Sequence, residues 1–229
     1  MSGDVFMRKA NDVALVVPAA GRGTRLGGRR KQLRELGGAP VLTRTLNAFA
    51  GLVGTTVVAG PPDEPDVLTR AIDRAEASAR VVAGGASRQA SVAAALRAVP
   101  EDIEMVVVHD AVRPFVQPER IEAVVAAARE HGGASLALPV ADTLRRADDG
   151  ETFGETVARD GLYRMQTPQG FRRAWLDEAH EQAEGRPATD DVELVQRQGR
   201  SVRVVGGDVR NFKITTPDDW AFARQLWPV

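Results

Sequence analysis

The residues of this sequence that are best suited to chemistry follow an apolar run near the amino terminus. Val13–Val17 form that run, and Pro18 ends it because proline has no N–H to give to a sheet. Small residues come next, and they let backbone N–H groups approach a ligand closely. These small residues are Ala19, Ala20, Gly21 and Gly23.

Basic side chains share the same loop, and they include Arg25 and Lys31. A strand that leads into small residues and positive charge is suited to bind the phosphates of a nucleoside triphosphate. The loop matches neither common phosphate motif, because a P-loop needs Gly-Lys followed by Ser or Thr and a dinucleotide fingerprint needs a third glycine. Here Gly21-Arg22-Gly23 is followed by Thr24-Arg25-Leu26. An ordinary strand-to-helix turn with solvated arginines is the alternative interpretation.

A carboxylate at the end of another apolar run indicates a metal site. Asp110 follows Met105–His109, and Mg²⁺ is commonly shared between one or two carboxylates and substrate phosphates. We therefore predict that Asp110 helps to hold Mg²⁺ beside the triphosphate, with a simple turn aspartate as the alternative. A lone histidine at a strand end is more often structural, so we assign His109 no role in the chemistry.

Apolar runs and helical patterns alternate along the chain after the first loop. Helices are predicted at 40–52, 66–79, 87–99 and 119–131, and strands at 55–59, 80–83, 105–109 and 134–139. This alternation is typical of an α/β, Rossmann-like fold, with a mostly parallel sheet and helices on both faces. Ligands of such sheets bind at the carboxyl ends of the strands, where the loops named above fall.

The pattern changes at residues 140–162, where polar and apolar residues alternate around Asp148-Asp149-Gly150. This predicts a protruding β-arm, a hairpin with little core of its own. Such a hairpin would be a liability if it were exposed on a monomer. The chain then returns to the sheet at 162–167, and helices at 172–184 and 190–198, a strand at 201–205 and a helix start at Thr216-Pro217 follow. Thr189 is the predicted N-cap of the helix at 190–198.

The composition indicates a globular protein without cysteine. The 229 residues are 43% hydrophobic, and the 30 Lys and Arg nearly balance the 31 Asp and Glu. This balance gives no bulk basic field for nucleic acid, and the lack of cysteine excludes disulfides and zinc–thiolate sites. No signal peptide and no membrane-spanning stretch is visible. We predict a single cytoplasmic domain over 1–229 with a flexible leader at 1–12, and neither nucleic acid nor membrane as partner.

Seven short motifs occur in order along the chain and together resemble a known family. The first resembles the opening of the sugar-phosphate nucleotidyltransferases, and the set is most similar to the 2-C-methyl-D-erythritol 4-phosphate cytidylyltransferase family of the non-mevalonate isoprenoid pathway. The resemblance covers nearly the whole chain. The motifs are Ala19-Ala20-Gly21-x-Gly23 with Lys31-Gln32, Gly84-Gly85-x-x-Arg88-x-x-Ser91-Val92, His109–Pro114, Asp142–Arg145, Thr167-Pro168-Gln169, Thr189-Asp190-Asp191 and Asn211–Thr215.

The resemblance implies a reaction between CTP and 2-C-methyl-D-erythritol 4-phosphate that releases pyrophosphate and uses Mg²⁺ as divalent cation. The catalytic residues that it implies are Arg25, Lys31 and Lys213. The implied CTP contacts are Ala19, Ala20, Gly21, Gly23, Arg25, Lys31, Gly84, Gly85, Ser91, Asp110, Ala111 and Lys213, with Asp110 also the metal ligand. The implied sugar-phosphate contacts are Asp110, Arg113, Thr143, Arg159, Thr167, Thr189 and Lys213. The arm at 140–162 would clasp a second subunit to give a homodimer.

Two positions depart from the family pattern. Ala86 stands where an acidic residue commonly follows the glycines, so any contact there must use the backbone. Arg30 stands where the family usually has proline before the lysine. Two alternative functions remain, a related cytidylyltransferase acting on ribitol 5-phosphate and a nucleotide-sensing module without turnover. The presence of Arg25, Asp110 and Lys213 together argues against the sensing module.

Overall fold

The computed structural model describes residues 11–21, 30–147, 150–183 and 186–227. Gly23 and Arg25 of the predicted phosphate loop lie outside the described residues, as do Asp148 and Asp149 of the hairpin turn and the first ten residues of the predicted leader. Asp12, the last residue of that leader, belongs to the fold, because its carboxylate forms an ion pair with Arg129 at 2.6 Å.

The strands form one main sheet and two short pairs outside it. In chain order the strands are β1 (Val13–Pro18), β2 (Glu35–Leu36), β3 (Ala39–Pro40), β4 (Thr55–Gly60), β5 (Arg80–Ala83), β6 (Met105–Val108), β7 (Gly133–Pro139), β8 (Leu144–Ala147), β9 (Phe153–Val157), β10 (Tyr163–Arg172) and β11 (Arg203–Gly206).

The helices alternate with the strands of the main sheet. In chain order the α-helices are α1 (Val41–Asn47), α2 (Thr69–Ile72), α3 (Arg88–Leu96), α4 (Pro118–His131), α5 (Arg173–Glu181), α6 (Asp191–Arg197) and α7 (Pro217–Leu226), and 3₁₀ turns occur at Lys31–Leu33 and Pro65–Leu68. No helix of the described residues is long and apolar enough to cross a membrane.

Within the described residues the main sheet has seven strands in the order β11-β7-β10-β6-β1-β4-β5. Only β10 runs antiparallel to its neighbours, and the other neighbouring pairs are parallel. The predicted mostly parallel sheet is therefore confirmed. Because β1, β4, β5 and β6 run in the same direction, the loops that follow them meet at one edge of the sheet.

Helices cover both faces of the sheet, as predicted, and this explains why β1 is apolar throughout. Alternate residues of a strand point to opposite faces. Val13 and Leu15 pack in a core with residues of α1, α2 and α4, whereas Ala14 and Val16 pack in a second core with residues of α3, α5 and α6. A third, smaller core joins α7 to β2 and to the start of α1.

Several helices are shorter than their apolar patterns predicted. The segment predicted as one helix at 66–79 forms a 3₁₀ turn at Pro65–Leu68 followed by a single helical turn, α2. Beyond its end the backbone N–H of Ala75 donates to the oxygen of Ile72 at 2.8 Å, and the backbone N–H of Glu76 donates to Asn47 Oδ1 at 2.9 Å. A tertiary hydrogen bond has replaced the helical one.

The prediction that Thr189 caps the helix at 190–198 is wrong by one residue. Asp190 is the N-cap of α6, and its side chain accepts a hydrogen bond from the backbone N–H of Glu193 at 2.9 Å. Asp and Thr are both good caps, so the sequence alone does not choose between them. Thr189 instead donates its backbone N–H and its hydroxyl to the Glu193 carboxylate, at 2.8 and 2.9 Å.

The returning strand β10 is longer than the predicted 162–167 and is irregular in its middle. Its pairing with β7 shifts register between Met165 and Gln169. Pro168 lies inside that interval and has no N–H for the ladder, so a break in pairing is expected there. Within this interval Thr167 bonds to the backbone of Asp110 in the loop after β6, and Gln166 bonds to the backbone of Asp208 in the loop after β11.

The predicted hairpin is confirmed. β8 and β9 pair antiparallel in a two-stranded sheet separate from the main one. Most of their residues are exposed, and Phe153 is 82% exposed.

Candidate active site

Loops at the carboxyl ends of β1, β4, β5 and β6 enclose a cavity of about 640 Å³, a volume suited to a nucleotide-sized ligand. The wall brings together most of the predicted nucleotide contacts. The predicted residues on the wall are Ala19, Ala20, Gly21, Lys31, Gly85, Ser91, Asp110, Ala111 and Lys213, and the further lining residues include Arg30, Gln32, Pro61, Asp63, Arg88 and Val112.

The start of the phosphate loop is held by Gln32, a residue to which no role was assigned from its motif. Gln32 is 2% exposed, and its amide donates to the backbone oxygens of Ala19 at 2.7 Å and Gly21 at 3.2 Å. Gln32 follows Lys31 in the 3₁₀ turn, so its anchoring also fixes the backbone from which the Lys31 side chain leaves.

Packing requires glycine at both positions after β5. A Cβ on Gly84 would lie 2.8 Å from the oxygen of Gly60, and a Cβ on Gly85 would lie 2.4 Å from the Cβ of Ala90. Ser91 Oγ accepts a hydrogen bond from the backbone N–H of Gly85 at 3.2 Å. Ser87 caps α3. The same short loop therefore begins a helix and forms a flat part of the cavity wall.

Asp110 is surrounded by three cationic side chains at the end of β6. Its Oδ2 lies 3.2 Å from Lys213 Nζ and 3.1 Å from Arg113 Nε, and its Oδ1 lies 3.4 Å from Arg88 Nε. Burial alone would raise the pKa of Asp110, but Lys213, Arg88 and Arg113 lower it well below its ordinary value. The carboxylate is therefore ionised at neutral pH, and the three cations outnumber the two carboxylates, Asp110 and Asp191, with which they pair.

Thr167, a predicted substrate contact, supports Asp110 from behind the cavity. Thr167 is 4% exposed, and its Oγ1 accepts a hydrogen bond from the backbone N–H of Asp110 at 3.0 Å. The same oxygen lies 3.0 Å from His109 Nδ1. Burial lowers the pKa of His109 to about 4, so its ring is neutral at pH 7 and acts as a structural group, in line with the sequence. A direct contact of Thr167 with substrate stays a prediction.

Arg113, also a predicted substrate contact, joins Asp110 to the segment that carries Lys213. Arg113 is 9% exposed, and besides its ion pair with Asp110 it donates from Nη1 to the backbone oxygen of Asn211 at 2.7 Å. Asn211 in turn donates to the backbone oxygen of Thr167 at 2.8 Å. These bonds set the position of Lys213 relative to the carboxylate that it pairs with.

A divalent cation fits this site only if the substrate brings most of its ligands. Asp110 Oδ1 has one long contact, at 3.4 Å to Arg88, so it can accept a further partner. Among the described residues, no three His, Asp or Glu side chains come together as a metal site. This donor set suits Mg²⁺ that is bound by one carboxylate, substrate phosphates and water.

The other predicted sugar-phosphate residues lie on the surface. Thr143 and Arg159 are exposed on either side of the β8–β9 hairpin, and Arg159 donates to the backbone oxygen of Ala141. Thr189 is exposed just before α6. None of the three is part of the cavity wall formed by the described residues of one chain. Their roles stay predictions.

Arg88 belongs to the site but was given no role from the sequence, although its motif was recognised. It lines the cavity and bonds to Asp191 Oδ2 at 2.7 Å. Gln169 is buried outside the cavity wall, where it donates from Nε2 to Asp190 at 3.0 Å and accepts the backbone N–H of Asp191 at 3.2 Å. Buried charges need partners, but the long sequence separation between Arg88 and Asp191 hid which residues pair.

The fold and the cavity together define an α/β protein of the nucleotidyltransferase type, with small residues after the first strand and a carboxylate among cations after β6. The family model for 2-C-methyl-D-erythritol 4-phosphate cytidylyltransferase matches residues 13–227. The chain therefore belongs to the 2-C-methyl-D-erythritol 4-phosphate cytidylyltransferase family, as the sequence motifs predicted, and is a nucleotidyltransferase.

Individual relatives agree with this assignment. The chain is 56% identical over 225 residues to the 2-C-methyl-D-erythritol 4-phosphate cytidylyltransferase of Salinibacter ruber, and the match covers 94% of this chain and 93% of the relative. It is 46% identical over 217 residues to the enzyme of the same name from Deinococcus radiodurans, with 93% and 88% covered. The crystal structure of the Thermus thermophilus enzyme of that name superposes with a TM-score of 0.80 at 39% identity, covering 95% of this chain and 99% of the other.

Proposed function

We propose that this protein joins CTP and 2-C-methyl-D-erythritol 4-phosphate to give 4-diphosphocytidyl-2-C-methyl-D-erythritol and pyrophosphate. The observation that carries the proposal is the cavity itself, in which the glycine wall at Gly85 and Ser91 and the charged cluster around Asp110 share one space. A flat base fits the first part and a triphosphate fits the second. Family membership identifies the base and the acceptor.

The chemistry needs positioning and charge neutralisation more than a reactive side chain. A phosphate monoester is already a nucleophile at neutral pH, so its oxygen can attack the α-phosphorus of CTP directly and expel pyrophosphate. No covalent intermediate with the protein is required. The residues that matter are cations that stabilise negative charge as it grows on the α-phosphate oxygens.

Lys213, Lys31 and Arg25 are the cations proposed for that role. Lys213 Nζ lies 3.2 Å from Asp110 Oδ2 and its side chain is 38% exposed, so the amine is both oriented and within reach of a ligand in the cavity. Lys31 lies on the cavity wall next to the anchored Gln32. Arg25, outside the described residues, is assigned from its motif alone.

Asp110 would hold Mg²⁺ together with the triphosphate of CTP. The ion would add positive charge at the phosphates and so assist departure of pyrophosphate. The three cationic neighbours of Asp110 keep it ionised, which a metal ligand must be. This chain's own contribution is thus one carboxylate held in a fixed position.

Arg113, Thr143, Arg159, Thr167 and Thr189 are the residues proposed to hold the sugar phosphate. For Thr143 and Arg159 we propose that the site in question belongs to a second subunit, because both are exposed on a hairpin outside the main sheet. The active protein would then be a homodimer in which each arm reaches its neighbour. Cytoplasm is the proposed location, and neither nucleic acid nor membrane is a proposed partner.

A substrate panel tests the function. Pyrophosphate release is measured with CTP, UTP or ATP against 2-C-methyl-D-erythritol 4-phosphate or ribitol 5-phosphate, and we expect strong release only for CTP with the methylerythritol phosphate. Preference for ribitol 5-phosphate would replace the proposed acceptor. Absence of release with every pair would favour the nucleotide-sensing alternative.

A further inference from the structure

A second buried carboxylate lies behind the cavity wall, and the proposed reaction gives it no role. Asp191, the first residue of α6, is fully buried. Its Oδ2 accepts a hydrogen bond from Arg88 Nη1 at 2.7 Å, and its Oδ1 lies 2.9 Å from His180 Nε2. A buried carboxylate is strongly unfavourable unless it is paired. Asp191 is paired with Arg88, which lines the cavity, so its charge is connected directly to the wall of the proposed site.

Arg88 lies between Asp191 and the carboxylate of the proposed site. Its Nη1 contacts Asp191, and its Nε lies 3.4 Å from Asp110 Oδ1. Burial alone would lower the pKa of Arg88, but Asp191 and Asp110 raise it above its ordinary value, so the guanidinium stays charged. Arg88 Nη2 is buried and has no hydrogen-bond partner in the part of the chain that the structure describes. The guanidinium is thus held by the two carboxylates, while one of its donors stays unpaired.

Asp191 is fixed from its other side by two elements. His180 on α5 contacts its carboxylate, and Gln169 on β10 accepts its backbone N–H at 3.2 Å. The preceding residues are Asp190, which caps α6, and Thr189, a proposed sugar-phosphate contact. The chain Asp110–Arg88–Asp191, here named the brace, therefore connects the nucleotide end of the site to the segment that carries Thr189.

We propose that Arg88 is a positioning residue for nucleotidyl transfer and that Asp191 is the anchor that holds it in place. The proposal rests on the proposed function of the same site. The brace fixes Asp110, and with it the Lys213 amine, relative to residues 189–191. Arg88 Nε and Nη1 both bond to carboxylates, so loss of the brace displaces the reacting groups that these carboxylates position. Displacement by about 1 Å can cost on the order of a hundredfold in rate.

The competing explanation is that the buried pair only stabilises the fold. A double-mutant cycle on kcat separates the two, with Arg88→Met, Asp191→Asn and the double variant. If Asp191 acts through Arg88, each single change lowers kcat about tenfold or more, leaves the KM for CTP within about threefold, and the double variant is no slower than the slower single one. Losses that multiply, or an unchanged kcat, would overturn the proposal.

Arg129→Met is the matched control. It makes the same change as Arg88→Met at another partly buried ion pair, the one with Asp12 at 2.6 Å, and Arg129 is not part of the cavity wall. We expect it to leave kcat near the wild-type value, whereas an equal loss of kcat from Arg129→Met and Arg88→Met would mean that loss of fold stability alone is responsible. Melting temperatures of all variants are measured alongside.

Arg88→Lys decides the question if the Asp191→Asn protein does not fold. Lysine keeps the charge but has no planar fork with which to bridge two carboxylates. If the brace positions the site, Arg88→Lys lowers kcat nearly as strongly as Arg88→Met does. A wild-type kcat in the Arg88→Lys variant would refute the proposal. Wild-type protein is assayed in the same series, so an inactive wild type counts against the proposed function and an active wild type without coupling counts against the brace alone.

Discussion

Lys213 shows how the site uses charge at the scale of single residues. Its amine pairs with Asp110, which is also held by Arg113 and Arg88, so the carboxylate orients the lysine without neutralising the cluster. Lys213 and Arg88 both line the cavity in which a triphosphate is proposed to bind. Negative charge develops on the α-phosphate in the transition state, and these cations stabilise that charge most strongly.

Lys213→Ala and Arg25→Ala should each lower kcat about a hundredfold or more, with a much smaller effect on CTP binding. The reason is that negative charge at the α-phosphate increases toward the transition state, so the missing cation costs more there than in the ground state. Steady-state kinetics with varied CTP measure both constants. Arg97→Ala, an exposed arginine at the end of α3, is the control. A variant that raises only the KM would identify its residue as a binding group.

CTP should be preferred strongly over UTP. The wall at Gly85 and Ser91 is held in place by the Ser91–Gly85 hydrogen bond and by close packing at Gly85 and at Gly84 beside it, so its polar groups have little freedom to rearrange for another base. A site that pairs polar groups with a ligand can reject an analogue that leaves them unpaired by several powers of ten. The ratio of kcat/KM values for the two nucleotides measures this. Equal use of both would contradict a cytosine-specific wall.

The sequence predicted the residues of the cavity wall better than it predicted the residues that hold this wall in position. Asp110 was predicted from its place after an apolar run, and Lys213 and Ser91 were predicted from their motifs by the family resemblance; all three lie on the cavity wall. Gln32 and Asp191 could not be predicted, because their function depends on partners that only the fold brings close, such as the backbone of Ala19 and the guanidinium of Arg88.

At the scale of elements, apolar runs predicted the central strands closely and predicted helix ends poorly. β4 was predicted at 55–59 and is found at Thr55–Gly60, since a buried strand is bounded by its apolar residues. Helix ends depend on competing hydrogen bonds, as at Glu76, and on which neighbour caps, as at Asp190. The first kind of contact involves residues that are distant in sequence, and the second depends on which of two suitable neighbours becomes the cap. The local sequence pattern therefore predicts neither.

The amino-terminal end of α7, which packs beside the Lys213 segment, allows the energetic contribution of one helix cap to be measured. Thr216 and Asp219 form a capping box, and Asp219 also accepts from Thr215. Burial alone would raise the pKa of Asp219, but these hydrogen bonds lower it. A lowered carboxyl pKa stabilises the fold above the unfolded pKa of about 3.9 and loses that stabilisation as pH falls through the folded pKa.

Asp219→Asn should therefore cost about 1 kcal/mol of unfolding free energy at pH 7, and the difference from wild type should shrink near pH 3. Urea denaturation at the two pH values measures it. Asp218→Asn removes an equal charge from the same first turn but no part of the capping box, and it should cost less. An equal loss in both variants at pH 7 would show that the capping box is not the cause.

At the scale of the whole molecule, the hairpin and the cavity are separate parts of one chain. The exposed strands β8 and β9 carry Thr143 and Arg159 at their base, outside the cavity wall. A two-fold dimer with exchanged arms would bring each arm to the other subunit's cavity. Each complete site would then need both chains.

Mixed dimers of two inactive variants test that arrangement. Arg159→Ala and Lys213→Ala proteins are unfolded, mixed in equal amounts and refolded together. Random pairing gives about half heterodimers, each with one doubly defective and one intact site, so activity should return to about a quarter of wild type. If Arg159 serves its own subunit's site, every site carries a defect and no activity returns. Each variant refolded alone is the control.

Direct detection of the joined product is the measurement that tests the proposed reaction most closely. Purified protein is incubated with equal amounts of CTP, 2-C-methyl-D-erythritol 4-phosphate and Mg²⁺, and the phosphorus-containing species are followed by ³¹P NMR and mass spectrometry. We predict that 4-diphosphocytidyl-2-C-methyl-D-erythritol and pyrophosphate form one for one as CTP disappears. CTP that remains unchanged, or CTP hydrolysed to CMP and pyrophosphate without a joined product, would contradict the proposed reaction.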